Sequence, residues 1–235
     1  MSDHLKRLAA PRSWPLKRKV SVWATKQSPG AHSIEYSLPA ALVLRDMLGL
    51  CGTAREAKRI IGDRELLVDG KPVRSPKEPL GFMDTLSVPK MDLYYRILIT
   101  DKGKLTAEAI SKDEATWKLC RIEGKTKIKD GKIQLNLHDG RNITLAENQY
   151  KSGDVLKIDV IGQKVLEVYP LGEGASAMVS KGKHAGKIEV VSEYIVVKGT
   201  APNVVKFTDG TETVKDNVFV IGKGTPAIKV PEVSL

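Results

Sequence analysis

The sequence predicts an α+β protein in which strands outnumber helices. Three observations carry this: one helical pattern over 37–62, period-two alternation of apolar residues from Leu93 to about Pro170, and closely spaced turn signals from Gly172 onward. At roughly 150 residues per domain, 235 residues suit one large or two to three small domains. Apolar residues make up 41% of the chain, enough to bury real cores.

Residues 1–36 read as a basic arm. Residues 1–30 carry Lys6, Arg7, Arg12, Lys17, Arg18, Lys19 and Lys26 against Asp3 alone, a net of +6 out of the chain's +10. A cationic arm on nearly balanced domains is the footprint of a chain that embeds in polyanion, and nucleic acid is the obvious one. A membrane-surface helix would need a sustained apolar face, which Pro11, Pro15 and Pro29 oppose. Trp14 and Trp23 are unusual in an idle tail, yet the arm has no core and repels itself, so it is expected to be disordered when free. The chain has 3 Phe, 3 Trp and 6 Tyr, whereas modules that read single strands present aromatic platforms. Folded RNA gripped through its phosphates is therefore favoured.

Next in order, 37–91 reads as two helices and a hairpin. In SLPAALVLRDMLGL, Ser37 is placed to cap, Pro39 fits a first turn, and Leu42, Leu44, Met47 and Leu48 supply an apolar face. Arg45 is expected to pair with acidic neighbours. In TAREAKRIIG, Thr53 and Glu56 have the spacing of a capping box, and Gly62 stands where a helix stops. Ala54, Ala57, Ile60 and Ile61 form its buried side, which leaves Arg55, Lys58 and Arg59 projecting as one basic surface. Asp69-Gly70 then marks a tight hairpin turn.

The segment 92–171 is β-rich. In KIQLNLHDGRNITL, Ile133, Leu135 and Leu137 alternate with polar residues; a two-residue loop at Asp139-Gly140 would mix the faces. A three-residue loop or bulge is expected instead, pairing Leu137 with Ile143. In the next pair, Leu156, Ile158 and Val160 share a face, with Leu166 and Val168 returning. KDEATWKL at 112–119 is the helix-like piece nearby. From 172 to 235, short strands between turns suggest a small barrel. Its loop KGKHAGK sets Lys181, Lys183, His184 and Lys187 around two glycines, where backbone N–H groups and cations would meet phosphate together.

Other functions lack their signatures. Cys51 and Cys120 lie far apart, have no CxxC neighbour and read as buried hydrophobes, as expected in a reducing cytosol. No apolar run approaches the ~20 residues that span a bilayer, and MSDHLKRLAAPRSW has no apolar core of a signal peptide. The four histidines lack metal-site spacing, and neither GxSxG nor a phosphate-binding glycine loop occurs. His138-Asp139 is explained by turn geometry. No catalytic residue, metal or cofactor is expected.

HLKRLAAPRSW at 4–14, SPGAH at 28–32, SLPAALVLRDMLGL, TAREAKRII, LLVDGKPVRSPKEPLGFMD, HDGRNI and SGDVLKIDV resemble the small-subunit ribosomal protein family S-four-e of archaea and eukaryotes, archaeal type favoured. VSKGKHAGKIEVV is similar to a KOW motif, although Glu189 stands where the usual pattern has a third glycine. The resemblance runs almost end to end. It implies an arm at 1–36, an S-four RNA-binding module at 37–91, a family-specific β domain at 92–171 and an SH3-like KOW barrel at 172–235. It also implies a structural constituent of the small ribosomal subunit in the cytoplasm, with ribosomal RNA and neighbouring ribosomal proteins as partners and no membrane. Expected RNA contacts are Lys6, Arg7, Arg12, Lys17, Arg18 and Lys19 in the arm, with Trp14 packing on RNA or protein, then Arg55, Lys58 and Arg59, then Lys181, Lys183 and Lys187. The rival readings are an RNA-modifying enzyme and a ribosome-associated factor carrying an S-four-like module.

Overall fold

The computed structural model describes residues 3–128, 131–147 and 149–230. The chain forms two compact units. The first holds the described residues up to Ile99 with Lys104–Lys118; the second holds Thr100–Gly103 with the described residues from Leu119 onward.

In the first unit, β1 (Leu5–Lys6) and β2 (Trp23–Ala24) pair antiparallel and close the intervening chain into a loop. Arg7 holds it from inside, donating from Nε to Lys17 O at 2.6 Å. Arg18 donates to the carbonyls of Leu8, Ala10 and Pro11. Trp14 is 1% exposed and donates its indole N–H to Ile34 O at 3.1 Å, while Leu105 N–H reaches Ser13 O at 2.8 Å. The expected disorder of the arm is thus corrected. Two of its cations turn inward and satisfy carbonyls that the loop would otherwise leave unpaired.

β3 (Ser37–Pro39) leads to α1 (Ala40–Leu42), which continues as a π-type turn over Val43–Met47. The helix begins after Pro39 and not at Ser37, because a residue preceding proline is held extended. Ser37 Oγ lies 2.7 Å from Ser33 O instead of capping. α2 (Ala54–Gly62) has the expected capping box: Glu56 N–H donates to Thr53 Oγ1 at 3.2 Å, and the Glu56 carboxylate accepts from the Thr53 N–H. Ala57 and Ile61 are buried on it, but Ala54 is exposed. β4 (Leu67–Val68) and β5 (Lys71–Pro72) meet across Asp69-Gly70, both with positive φ, as a two-residue hairpin requires. β6 (Pro79–Gly81) pairs with β3. β7 (Thr85–Val88), β8 (Leu93–Ile99) and β9 (Leu105–Ala109) complete a sheet of order β5-β4-β7-β8-β9.

The SPGAH segment docks on β6. Ser28 N–H donates to Lys77 O, and Gly30 passes so close that a Cβ there would stand 2.4 Å from the Pro79 ring. The His32 ring covers Gly81, where a Cβ would lie 2.1 Å from it, and Nε2 reaches Asp84 at 3.1 Å. Asp84 belongs to a buried polar cluster: Lys118 Nζ donates to Asp69 at 2.6 Å and to Asp84 at 2.9 Å, while Thr85 N–H and Gly81 N–H donate to the same two carboxylates.

The helix-like segment 112–119 is a single 3-10 turn, Glu114–Thr116, followed by β10 (Trp117–Lys127). Arg96, fully buried, lies 4.5 Å over the Trp117 ring and donates to the carbonyls of Glu114 and Trp117. Tertiary contact with Arg96 thus favours extended backbone at Trp117 over helix propensity.

In the second unit, β10 from Leu119 onward joins β11 (Ile133–Leu137), β12 (Asn142–Leu145), β13 (Val155–Asp159) and β14 (Val165–Tyr169) in the order β12-β11-β10-β13-β14. Leu137 N–H bonds Arg141 O, so the loop 138–140 has three residues, the expected odd length. Its register is two residues tighter than expected: Leu135 faces Ile143 and Ile133 faces Leu145. Cys120, Ile122, Leu135, Leu137, Leu156 and Ile158 form the core of this sheet. Val168 packs on it as expected, but Leu166 is exposed and Val165 takes its place, because Leu166 is a bulge residue: Lys157 and Ile158 face Glu167 and Val165, and the alternation along β14 shifts by one residue.

β15 (Ala175–Val179), β16 (Ile188–Ile195), β17 (Val204–Phe207), β18 (Glu212–Val214), β19 (Val218–Lys223) and β20 (Thr225–Pro226) form a six-stranded sheet of order β18-β17-β16-β15-β19-β20. Strand β16 pairs with β15 through Val190 and with β17 from Val191. Arg121 ties the two sheets of this unit together, donating to the carbonyls of Asp216 and Val218 at 2.8 Å each.

Candidate nucleic-acid interface

Three cationic surfaces were expected, and the structure sorts their members by what each head group touches. In the arm, Lys6, Arg12, Lys17 and Lys19 are exposed, with no ion pair among the described residues. Arg7, Arg18 and Trp14 are corrected. Arg7 is 5% exposed, Arg18 is half-buried with its guanidinium spent on three carbonyls, and the Trp14 ring lies inside the unit. These three shape the loop that presents the other four.

On α2, Arg55, Lys58 and Arg59 are all exposed, as the helical spacing requires once Ala57 and Ile61 face inward. The helix start is fixed by the capping box. N–H groups of Gly52 and Thr53 and the Thr53 side chain hold the Glu56 carboxyl below its ordinary value, so it stays charged as the cap. Arg45 pairs with Asp46 at 2.7 Å, the acidic neighbour expected of it.

The structure also brings the arm and α2 together. A groove of about 310 Å³ is lined by Trp23 and Lys26 of the arm, by Lys58 of α2 and by Lys77. The sequence reading missed Lys26, Lys77 and Trp23 as members of one site, since Lys77 is about 50 residues from the arm. The available signal was Trp23 itself, a large aromatic ring in a cationic arm.

In the second unit, the 181–187 loop joins β15 to β16. Lys183 and His184 are exposed at its tip, and Lys181 is half-exposed. Lys187 already has acidic partners: its ammonium contacts the Asp209 carboxylate and lies 3.8 Å from Glu189. Glu189 keeps regular register opposite Ala177, so the missing third glycine leaves the strand intact. Gly186 has φ +89°, and a Cβ there would stand 1.9 Å from Thr100 O. Close backbone packing requires this glycine, independently of any phosphate.

Cys120, His138 and Asp139 place their donor atoms within 4.8 Å of one another. All three are engaged by the protein. The Cys120 thiol donates to Asp139 at 3.4 Å, the Arg121 N–H donates to His138 Nδ1 at 3.2 Å, and Arg141 donates to Asp139 through its N–H. Asp139 has the turn role read from the sequence and a thiol partner that was not. Among the described residues no helix is long and apolar enough to cross a membrane.

Family models place residues 1–35 in an RS4NT domain, 43–86 in an S4 domain and 91–165 in ribosomal family S4e. Small ribosomal subunit protein eS4 of Methanothermobacter thermautotrophicus is 41% identical over 232 residues, covering 97% of this chain and 96% of that protein. The protein of the same name from Ignicoccus hospitalis is 40% identical over 242 residues, at 97% and 95% coverage. The crystal structure of 30S ribosomal protein S4e from Thermoplasma acidophilum superposes with a TM-score of 0.70 at 33% identity, covering 80% of this chain and 95% of that one. With a likeness of that extent in both sequence and fold, the chain belongs to ribosomal family S4e.

Proposed function

We propose that this protein is a structural constituent of the small ribosomal subunit, which binds and positions folded ribosomal RNA and catalyses no reaction. The carrying observation is the end-to-end likeness to proteins named small ribosomal subunit protein eS4, at 41% identity over 97% of the chain. Phosphate contacts fix orientation without reading sequence, so recognition rests on RNA shape. Lys6, Arg12, Lys17 and Lys19 form the arm contacts, Arg55, Lys58 and Arg59 the second set, and Lys181 and Lys183 the third. Their exposure supports the assignment.

A finer division goes with this reading: arm 1–36, S-four module 37–91, central β domain 92–171 and KOW-type SH3-like barrel 172–235. The change of partner along β16 supports a barrel, because a strand that switches neighbours partway along its length turns a corner of the sheet. The cellular place is the cytoplasmic ribosome, beside neighbouring ribosomal proteins. To test this, a lysate of the source organism is separated on a sucrose gradient, the small subunits are washed in high salt, and the protein is quantified by mass spectrometry. About one copy per washed subunit is expected. Release by the wash, or recovery at the top of the gradient alone, overturns the reading.

A further inference from the structure

The groove beside Trp23 is adjoined by a second one. The first, about 310 Å³, and the second, about 610 Å³ along 27–34, share Asp3, Lys26 and Lys77 in their walls. In the first, the Trp23 indole is 54% exposed, with the His4 ring 5.6 Å away at a tilt of 57°. Lys58 of α2 lines it too. The acid in both walls is Asp3, which lies 3.7 Å from Lys77. An indole left half in water forgoes much of the stabilisation that burial of an aromatic ring gives.

We infer that the two grooves take an unpaired stretch of RNA, with one base stacked on Trp23 and its flanking phosphates carried over Lys26 and Lys77 into the second groove. The inference rests on the RNA-binding reading above and names the kind of RNA this face takes. An aromatic face stacks any base, and lysines meet phosphates as flexible point charges. A base inside an A-form duplex is already stacked on both faces and has none to offer Trp23. A protein partner is disfavoured by composition, since lysine is depleted where proteins meet and three lysines line this groove. Trp14, the aromatic first expected against RNA, is sealed inside the unit, and Trp23 is the open one.

The test uses the full chain, a single-stranded oligoadenylate and a blunt RNA duplex of equal length. The single strand is expected to bind more tightly and to quench tryptophan fluorescence. Trp23→Ala should weaken single-strand binding about 5- to 150-fold, the usual range for losing one base–aromatic stack. Duplex binding and the melting temperature should stay unchanged, and Trp23→Phe should keep most of the affinity. Equal affinity for the two RNAs, or an unchanged single-strand affinity in Trp23→Ala, overturns the inference. If Trp23→Ala loses retention on washed small subunits while oligoadenylate binding is intact, Trp23 faces a neighbouring protein and the inference falls. If the wild-type chain is absent from washed subunits yet shows the single-strand preference and its loss in Trp23→Ala, the groove assignment stands and the ribosomal reading falls.

Discussion

Lys118 is fully buried between two carboxylates, Asp69 and Asp84. Burial by itself pushes the Asp84 carboxyl up. The charges of Lys118 and His32 and the Gly81 N–H outweigh that and hold it far below its ordinary value of 3.8. A carboxyl depressed on folding contributes stability that is complete above its unfolded value and is lost as pH falls toward its folded one. Acid unfolding followed by circular dichroism should therefore begin below about pH 4, and Asp84→Asn should flatten that limb while lowering stability at neutral pH. Lys118→Met removes the cation shared by two buried carboxylates, leaving Asp84 with His32 alone, and should cost about 3–5 kcal/mol in denaturant titration. Arg96 presents the milder case. Burial lowers its pKa to about 10, so it remains charged at neutral pH over the Trp117 ring and two carbonyls.

At the scale of elements, two local devices have separable costs. Thr53→Ala removes the acceptor for the Glu56 N–H and should cost about 1 kcal/mol, read as a lower melting temperature with α2 fraying first. Gly186→Ala places a methyl group against Thr100 O at a positive φ and should cost more than about 1 kcal/mol. The first device was legible because a capping box is local, fixed by residues three apart. The second was legible only as a turn signal, since the approach of Thr100 depends on a segment about 85 residues away. The same contrast explains Leu166. Alternation placed it inward, but Leu166 is itself the extra residue of a bulge in β14, which no local pattern announces, and it faces outward.

For the whole molecule, behind the net charge of +10 the cations divide between exposed ones and ones that brace the fold. Replacing Lys6, Arg12, Lys17 and Lys19 together by Gln should flatten the salt dependence of ribosomal RNA binding by about 3–4 log units per log unit of salt, if each meets one phosphate. The melting temperature should stay unchanged, because all four are exposed. An unchanged slope would remove the arm from the interface.

The sequence by itself determined the β-rich class, the capped basic helix, the Asp69-Gly70 hairpin, the odd-length loop after Leu137 and the concentration of cations near the start. Each is written in spacings of a few residues, where side-chain direction follows from helix or strand period. Tertiary structure alone decided which cations face out. Arg7, Arg18 and Lys187 look like Lys6 and Lys183 in sequence, but carbonyls across the folded arm loop bind the two arginines and carboxylates bind Lys187. It also gathered Lys58, Lys77 and Trp23 around one groove. Charge and exposure at a site are sums over groups distant in sequence, and only the folded chain fixes those distances.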